Sequence, residues 1–363
     1  MLRSFQADPP RKILVRTTNW IGDAVISLPA LESLRKTFPA SEIVLVSKPW
    51  VSEVYWHYPA ALRQIIYDPA GKHRGVRGLE LLVQDLRAEN FDLAILFQNA
   101  FQAAWIAWRS RIPVRIGYAR DCRGTLLTEP VEVPSRGAYG HETYYYLQLL
   151  FRAGLIERPE PVLPLGETRL ILREAEKSWA QKRLQSLRLD GSPFLVGIHP
   201  GASFGPAKRW PPERFAALAD RLIGALRADV LIFGSAAEAS LVESIARLMK
   251  HSPTVLAGKT TLTQMMALLS ECRLVVTNDS GPMHLAAALG LPLVAVFGST
   301  DERGTGPLST QARVIRTQVE CSPCGLRECP IDFRCMQNVK VDDVFKVAIE
   351  LVERTGVTHG HTA

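Results

Sequence analysis

The sequence predicts an α/β protein of two domains, each a parallel, doubly wound sheet with helices on its faces. Its 363 residues are more than a domain with a single hydrophobic core usually contains, so two domains are expected. Apolar runs of strand length alternate with amphipathic runs of helix length, which is the pattern of parallel sheets. The alternation lapses at the proline-rich stretch 157–168 and then resumes. We therefore place the domains at residues 1–175 and 176–340.

The first domain begins with the apolar run "KILVRT" (12–17), which predicts a buried strand. Further strands are predicted at 42–47 and 91–98, and amphipathic helices at 23–38 and 79–89. Because helical segments separate these strands, we expect the strands to be parallel.

The second domain repeats the pattern. Strands are predicted at 194–201, 229–235, 274–281 and 292–300, and helices at 211–226, 237–249, 262–272 and 283–290. A last helix, 341–356, is expected to cross back to the first domain. Ligands of open parallel sheets bind beyond the carboxyl ends of the strands, so the functional residues are expected in the loops that follow strands.

Composition indicates an ordinary globular protein with a basic surface. The net charge is +7, and the basic segments 71–78 and 109–124 contain few acids. They indicate either a solvated surface or attraction to a polyanion. Because aromatics are not interleaved with these cations as in a base-stacking platform, and no nucleic-acid motif appears, we favour lipid headgroups or a phosphorylated acceptor. The N-terminus has no signal-peptide pattern and the longest apolar runs are strand-sized, so we expect a cytoplasmic protein.

The loop 275–292 carries the densest cluster of polar residues. Asp279, Ser280, Gly281 and His284 lie where a strand runs into a helix, and backbone N–H groups at a helix start favour an anion. Asp279 and Ser280 also suit simple helix capping, and His284 suits packing beneath the loop.

A second loop, 197–215, combines small residues with adjacent cations. Its small residues, Ser203 among them, allow close backbone approach, and Lys208 and Arg209 suit a diphosphate. The alternative is a flexible loop with two solvated cations. Glu238, near a later helix start, suits hydrogen bonds from a ribose.

The first strand–helix loop, "NWIGD" (19–23), has too few glycines for a phosphate cradle. Gly22 is expected to allow a tight turn that brings Asp23 to the ligand-binding edge. Asp23 is then either a helix cap or a carboxylate presented to a substrate.

Several catalytic motifs are absent from the sequence. It has no Walker A motif, no G-x-G-x-x-G after a strand and no G-x-S-x-G. It has no Asp-x-Asp, so we expect no required metal cofactor and assign the diphosphate charge to Lys208, Arg209 and helix N-termini.

Four cysteines are clustered in "CSPCGLRECPIDFRC". Cys321, Cys324, Cys329 and Cys335 are separated by two, four and five residues, which is not the usual paired zinc spacing. They indicate either a structural metal site or thiols that organise a loop.

Three segments together resemble the ADP-heptose:lipopolysaccharide heptosyltransferases, glycosyltransferase family 9. They are "TTNWIGDAVISLPAL" (17–31), "HPGASFGPAKRWP" (199–211) and "TNDSGPMHLAAALGLPLVAVFG" (277–298). The cysteine-rich segment is most similar to that of the heptosyltransferase II subgroup. The resemblance implies the GT-B architecture, two Rossmann-like domains facing a central cleft.

The resemblance also implies a reaction and a set of roles. An inverting transfer of L-glycero-D-manno-heptose from ADP-heptose to the inner core of lipopolysaccharide is implied, with the second heptose placed onto the first. It implies that Asp23 is the catalytic base, Lys208 meets the diphosphate and Glu238 lies near the ribose. We assign donor binding to Ser203, Lys208, Arg209, Glu238, Asp279, Ser280, Gly281 and His284, and acceptor binding to Asn19, Trp20, Gly22 and Arg120.

The expected partners are ADP-heptose and a lipid-linked core oligosaccharide, with peripheral contact at the anionic inner face of the inner membrane and no nucleic acid. Three other interpretations stay open at this point. They are heptose addition to the deeper octulosonate sugar, another GT-B nucleotide-sugar enzyme such as an epimerase, and a basic lipid- or nucleic-acid-binding module.

Overall fold

The computed structural model describes residues 5, 8–60, 62–135, 140–162, 169–192 and 194–354. The chain divides into two compact units, Met1–Thr168 and Arg169–Ala363. This division falls earlier than the expected one after residue 175, since Leu170 already donates its N–H to the carbonyl of Ala288 in the second unit (3.0 Å). Residues 163–168 of the proline-rich stretch lie outside the described residues.

The N-terminal unit alternates strands and helices. Its elements are β1 (Lys12–Arg16), α1 (Ile21–Ile26), α2 (Leu28–Thr37), β2 (Glu42–Ser47), α3 (Pro49–Trp56), β3 (Arg63–Ile66), α4 (Gly75–Ala88), β4 (Leu93–Leu96), α5 (Phe101–Arg109), β5 (Val114–Tyr118), β6 (Glu129–Val131) and α6 (Glu142–Arg152). A short 3₁₀ helix, Gly124–Leu126, lies between β5 and β6.

The described strands of this unit form a parallel sheet in the order β3-β2-β1-β4-β5-β6. Val15 of β1 pairs with Leu45 of β2 and Ile95 of β4, and all three side chains are fully buried. The carboxyl ends of these strands share one edge of the sheet, so the loops after β1, β2, β4 and β5 are neighbours there.

The helix predicted at 23–38 is broken at Ser27 into α1 and α2. Pro29 lies in the first turn of α2 and has no N–H with which to continue the ladder from α1. At the break Ser27 donates its hydroxyl to the carbonyl of Ala24 (2.8 Å). The break leaves α1 as a separate six-residue segment that follows the first loop.

The C-terminal unit repeats the alternation. Its elements are α7 (Glu174–Ser186), β7 (Leu195–His199), α8 (Pro212–Leu226), β8 (Asp229–Ile232), α9 (Ala239–Leu248), β9 (Thr254–Val255), α10 (Leu262–Ser270), β10 (Leu274–Asn278), α11 (Gly281–Ala288), β11 (Leu293–Phe297), α12 (Glu302–Thr305), β12 (Ala312–Arg316), α13 (Arg334–Gln337) and α14 (Val341–Arg354). Short 3₁₀ helices lie at Pro206–Lys208 and Ala236–Glu238.

The described strands of this unit form a second parallel sheet, in the order β12-β11-β10-β7-β8-β9. The central strands β7 and β10 are direct neighbours, with Ile198 opposite Val276. The loops that follow them, each singled out from the sequence, therefore begin side by side.

The last helix, α14, packs on α8, β11 and β12 of its own unit. Val344, Ala348 and Leu351 are buried in the core that these elements share. Residues 355–356 of the predicted helix lie outside the described residues, and its crossing to the first unit stays a prediction. Among the helices of the described ranges, none is long and apolar enough to cross a bilayer.

Several elements were not predicted because their sequences lack a clear apolar period. The strands β3 ("RQII") and β12 ("ARVIR") lie at sheet edges and are only partly buried, so polar residues are tolerated there. β5 ("VRIGY") contains an arginine and a glycine, yet it is an inner strand flanked by β4 and β6.

Candidate functional site

The first polar loop of the N-terminal unit joins β1 to α1. Trp20 is the N-cap residue of α1, and its side chain makes no capping hydrogen bond. Asp23 is the third helical residue and is half-buried, so it does not occupy the N-cap position. The expected tight turn at Gly22 is not present, because Gly22 already lies inside α1.

The carboxylate of Asp23 lies near Tyr146 of α6. Burial raises the pKa of Tyr146 well above its usual value, and the negative charge of Asp23 raises it further. Tyr146 therefore stays a neutral phenol beside the carboxylate. Asp23 is thus half-buried and lies beside the buried ring of Tyr146. This arrangement suits a general base.

The other acceptor candidates of this unit have different environments. Trp20 is 55% exposed, whereas Asn19 is held by Arg16, whose guanidinium donates to Asn19 Oδ1 (3.0 Å). Arg120 is exposed and lies 3.6 Å from the carboxylate of Asp121. Asn19, Trp20 and Gly22 therefore lie on one loop–helix segment, and Arg120 follows β5.

The basic segment 109–124 is partly internal. Arg123 is fully buried and donates to the carbonyl of Tyr118 (2.8 Å) and to Asn99 Oδ1 (3.1 Å). Burial lowers the pKa of Arg123 to about 10. Arg115 likewise donates to backbone carbonyls, at Leu126 (2.7 Å) and Ile112 (2.6 Å). Both cations brace loops; Arg123 is buried and Arg115 is partly buried, so the segment adds less to the surface charge than the sequence indicated.

In the C-terminal unit, Lys208 and Asp279 form a buried ion pair. Lys208 Nζ donates to Asp279 Oδ2 at 2.5 Å, and the residues are 9% and 4% exposed. The hydroxyl of Thr300 also donates to this oxygen (2.5 Å), and that of Thr305 lies at 3.5 Å. Lys208 is therefore held in a fixed position by a carboxylate that other donors also engage, rather than solvated on a flexible loop.

Asn278, at the end of β10, holds the loop that follows β7. Its amide donates to the carbonyl of Pro200 (2.7 Å), and its Oδ1 accepts from the N–H of Trp210 (3.1 Å). Both ends of the 200–210 loop are therefore fixed to β10. Sequence reasoning did not assign Asn278 to the site, although an asparagine at the end of a buried strand was a signal for this role.

Glu238 lies against the backbone of Gly201. It is 7% exposed, and its Oε2 accepts from the N–H (2.9 Å) and hydroxyl (2.8 Å) of Ser235. A Cβ atom at position 201 would lie only 1.9 Å from Glu238 Oε1, so the close approach requires glycine. Within the described residues Oε1 is buried without a hydrogen-bond partner.

His199 is the buried neighbour of Glu238. Its Nε2 lies 3.9 Å from Glu238 Oε2, and its Nδ1 has no partner in the described part of the chain. Burial lowers the pKa of His199 below its usual value, despite the carboxylate. Burial opposes ionisation of Glu238, but His199, Ser235 and Arg209 outweigh it and lower its pKa. The unsatisfied Oε1 of an ionised Glu238 suits a hydroxyl donor from a ligand.

The remaining donor candidates lie on the same two loops. Ser280 is the N-cap residue of α11 without a side-chain capping bond, and its Oγ lies 3.1 Å from Thr277 Oγ1. Gly281 begins α11, and His284 is 5% exposed within it. Ser203 is exposed, and Arg209 donates to the carbonyl of Ala202 (3.3 Å). Capping by the side chain of Ser280 is therefore not observed.

The cysteine-rich segment is hydrogen-bonded to the loop after β7 and to the loop after β11. The N–H of Gly325 donates to Ser299 O (2.7 Å), and Arg327 O accepts from the N–H of Ala207 (3.0 Å). Cys335 is buried, and Cys329 Sγ accepts from the N–H of Phe333 (3.2 Å). Cys321 and Cys324 are free thiols as well. Among the described residues no three His, Cys, Asp or Glu side chains converge as metal ligands.

Comparisons with known proteins place the chain in a family. Residues 80–333 match the profile described as glycosyltransferase family 9 (heptosyltransferase). The lipooligosaccharide heptosyltransferase 2 of Haemophilus ducreyi is 35% identical over 84% of this chain and 88% of that protein. The lipopolysaccharide heptosyltransferase 2 of Escherichia coli is 33% identical over the same shares.

Solved structures agree with this assignment. The structure of the E. coli ADP-heptose LPS heptosyltransferase II superposes with a TM-score of 0.80 at 29% identity, covering 95% of this chain and 99% of that one. A glycosyltransferase family 9 structure from Veillonella parvula superposes with a TM-score of 0.82 at 26% identity, covering 95% and 98%. The two parallel sheets are thus those of a GT-B glycosyltransferase, and the chain belongs to glycosyltransferase family 9, the heptosyltransferase family.

Proposed function

We propose that this enzyme transfers L-glycero-D-manno-heptose from ADP-heptose to the first heptose of the lipopolysaccharide inner core. The likeness to heptosyltransferase 2 proteins over most of the chain favours this transfer over the epimerase and the non-enzymatic binding module. The observation that carries the donor assignment is the buried Glu238 carboxylate, whose Oε1 lacks a partner among the described residues. A ribose hydroxyl is the kind of donor that would satisfy it.

The C-terminal unit is proposed to bind the donor. Glu238 takes the ribose, and Lys208, fixed by Asp279, and Arg209 face the diphosphate. Ser203, Ser280, Gly281 and His284 contribute the remaining contacts of the two loops. The N-terminus of α11 adds a favourable dipole for the departing ADP.

The N-terminal unit is proposed to bind the acceptor, with Asn19, Trp20, Gly22 and Arg120 around Asp23. Asp23 removes the proton from the acceptor hydroxyl as its oxygen attacks the anomeric carbon. The new bond joins that oxygen to the anomeric carbon, the bond from this carbon to the ADP oxygen breaks, and ADP leaves from the opposite face. The product has the inverted anomeric configuration, and Asp23 carries the proton.

Because the acceptor is lipid-linked, we place the enzyme at the cytoplasmic face of the inner membrane, in peripheral contact with anionic lipid. We assign it no resident metal. The likeness to heptosyltransferase 2 proteins over most of the chain supports the lipid-linked acceptor.

ADP release against two defined acceptors tests the proposal. One acceptor ends in the first heptose and the other is heptose-free, and both are offered with ADP-heptose. We expect release and a mass increase of one heptose with the first acceptor alone. Turnover with the heptose-free acceptor alone would assign the chain to the first transfer, and turnover with neither would refute a heptosyl transfer onto the inner core.

A further inference from the structure

Two exposed aromatic rings and a lysine adjoin the first loop of the N-terminal unit. Trp50 is the second residue of α3, the helix that follows β2. Its indole N–H donates to the carbonyl of Asn19 (2.8 Å). Lys48 Nζ lies 4.9 Å from the centre of the Trp50 ring. Trp50 is 46% exposed, and Trp20 on the tied loop is 55% exposed. The loops after β1 and β2 are therefore fixed together with their aromatic rings facing outward.

Lys48 has no carboxylate partner among the described residues. No acidic side chain of the described ranges lies within 4 Å of its ammonium, whereas Lys72, which follows β3, pairs with Asp85 at 2.7 Å. Burial lowers the pKa of Lys48, and the positive charge of Arg16 lowers it further. Lys48 is thus a cation beside another cation.

The buried guanidinium of Arg16 adds to the positive potential at Lys48. It is 2% exposed and donates to neutral acceptors, the carbonyls of Thr17 (2.7 Å) and Val46 (3.1 Å) and Asn19 Oδ1. Its Nε and the buried hydroxyl of Tyr55 have no partners in the part of the chain that the structure describes. No carboxylate of the described residues pairs with Arg16, and burying a guanidinium without one costs free energy.

Bracing of the loop explains only part of this arrangement. Arg123 is an equally buried arginine that braces loops with neutral acceptors, and the cation next to it, Arg120, has an acid at Asp121. At Arg16 the neighbouring cation, Lys48, has no acidic partner in the described ranges and lies beside an exposed indole. Positive charge and an aromatic face are thus left available at the same place.

We infer that Lys48 and Trp50, supported by Arg16, form a subsite for an anionic sugar. Trp50 stacks on the apolar face of the sugar ring, and the ammonium of Lys48 pairs with a carboxylate or phosphate on that sugar. The inference rests on the proposed function in one respect, that the anionic sugar belongs to the acceptor and lies near the hydroxyl facing Asp23.

The test uses the full chain and an O-deacylated acceptor oligosaccharide. Lys48→Gln is compared with Lys36→Gln, an exposed lysine of α2, and Trp50→Leu with Trp56→Leu, an exposed tryptophan of the same helix. We expect Lys48→Gln to raise the acceptor KM about 10-fold, since one charge-assisted hydrogen bond is lost. The KM for ADP-heptose should not change, Lys48→Arg should retain most of the affinity, and both control variants should match the wild type.

Modified acceptors identify the anionic group. If the group is a carboxylate, the effect of Lys48→Gln disappears with a carboxyl-reduced acceptor; if it is a phosphate, it disappears with a dephosphorylated one. An effect of equal size on both modified acceptors, or none on the intact one, would overturn the subsite.

Calorimetric binding of the oligosaccharide without donor separates this inference from the proposed transfer. Weaker binding by Lys48→Gln supports the subsite even if no heptose is transferred. Unchanged oligosaccharide binding, with reduced binding to acceptor-free phosphatidylglycerol vesicles, would overturn it in favour of a membrane contact.

Discussion

Asp23 and Asp279 both follow a central strand of a parallel sheet, but their surroundings differ. Asp279 is 4% exposed, paired with Lys208 and bonded by the hydroxyl of Thr300. Asp23 is half-buried in the first turn of α1, with neutral Tyr146 nearby. The carboxylate of Asp279 is thus fixed by two donors, whereas that of Asp23 is partly open to solvent. We therefore propose a positioning role for Asp279 and proton transfer for Asp23.

The largest expected effect is on turnover. Asp23→Asn should lower kcat by about 10²- to 10⁴-fold, because the amide cannot take the proton of the acceptor hydroxyl. Steady-state assays at saturating donor would measure it, with Asp85→Asn, an exposed acid of α4, as control. If the variant keeps the wild-type kcat, Asp23 is not the catalytic base and only places a negative charge at the start of α1.

The next effect concerns the buried pair. Lys208→Met should destabilise the C-terminal unit by about 3–5 kcal/mol, since the carboxylate of Asp279 loses its cation. It should also weaken ADP binding. Urea unfolding and calorimetry would follow both, with Lys346→Met, a lysine whose side chain is 78% exposed, as control. If the two variants unfold at the same urea concentration, the pair does not fix Lys208.

A smaller effect tests the position of Glu238. Gly201→Ala should weaken ADP binding about 10-fold, because the new Cβ displaces the carboxylate from its hydrogen bonds. Gly224→Ala, where no atom lies within 4 Å of the added Cβ, should leave ADP binding unchanged and stabilise α8 by about 0.5–1 kcal/mol. Equal ADP affinity in both variants would contradict the ribose assignment.

The smallest effect is a pH dependence. The pKa values of His199 and Glu238 lie below their usual 6.5 and 4.5, so the unfolded chain takes up each proton first. The free energy of unfolding should therefore fall as the pH drops below 6.5, and again below 4.5. His199→Asn should reduce the first fall, and His251→Asn, an exposed histidine, should not. Part of the fall will remain, since burial also lowers the pKa of His73.

The sequence predicted the strand–helix alternation and the loops that carry the site, because apolar runs and polar loop residues are local signals. It could not predict the pairing of Lys208 with Asp279, which are far apart in the chain and meet only because β7 and β10 are neighbours. Arg123 is hydrophilic by type, yet neutral acceptors on separate loops bury it. Trp50, of the proposed subsite, lies on α3, a helix that the sequence analysis did not predict.

We propose that Asp23 performs the proton transfer and that Asp279 holds the nucleotide site. To test these two roles, kcat and the Kd for ADP are measured side by side in Asp23→Asn and Asp279→Asn. We expect Asp23→Asn to lose turnover while keeping the wild-type Kd, and Asp279→Asn to bind ADP more weakly. Loss of ADP binding in Asp23→Asn, or an unchanged Kd in Asp279→Asn, would contradict it.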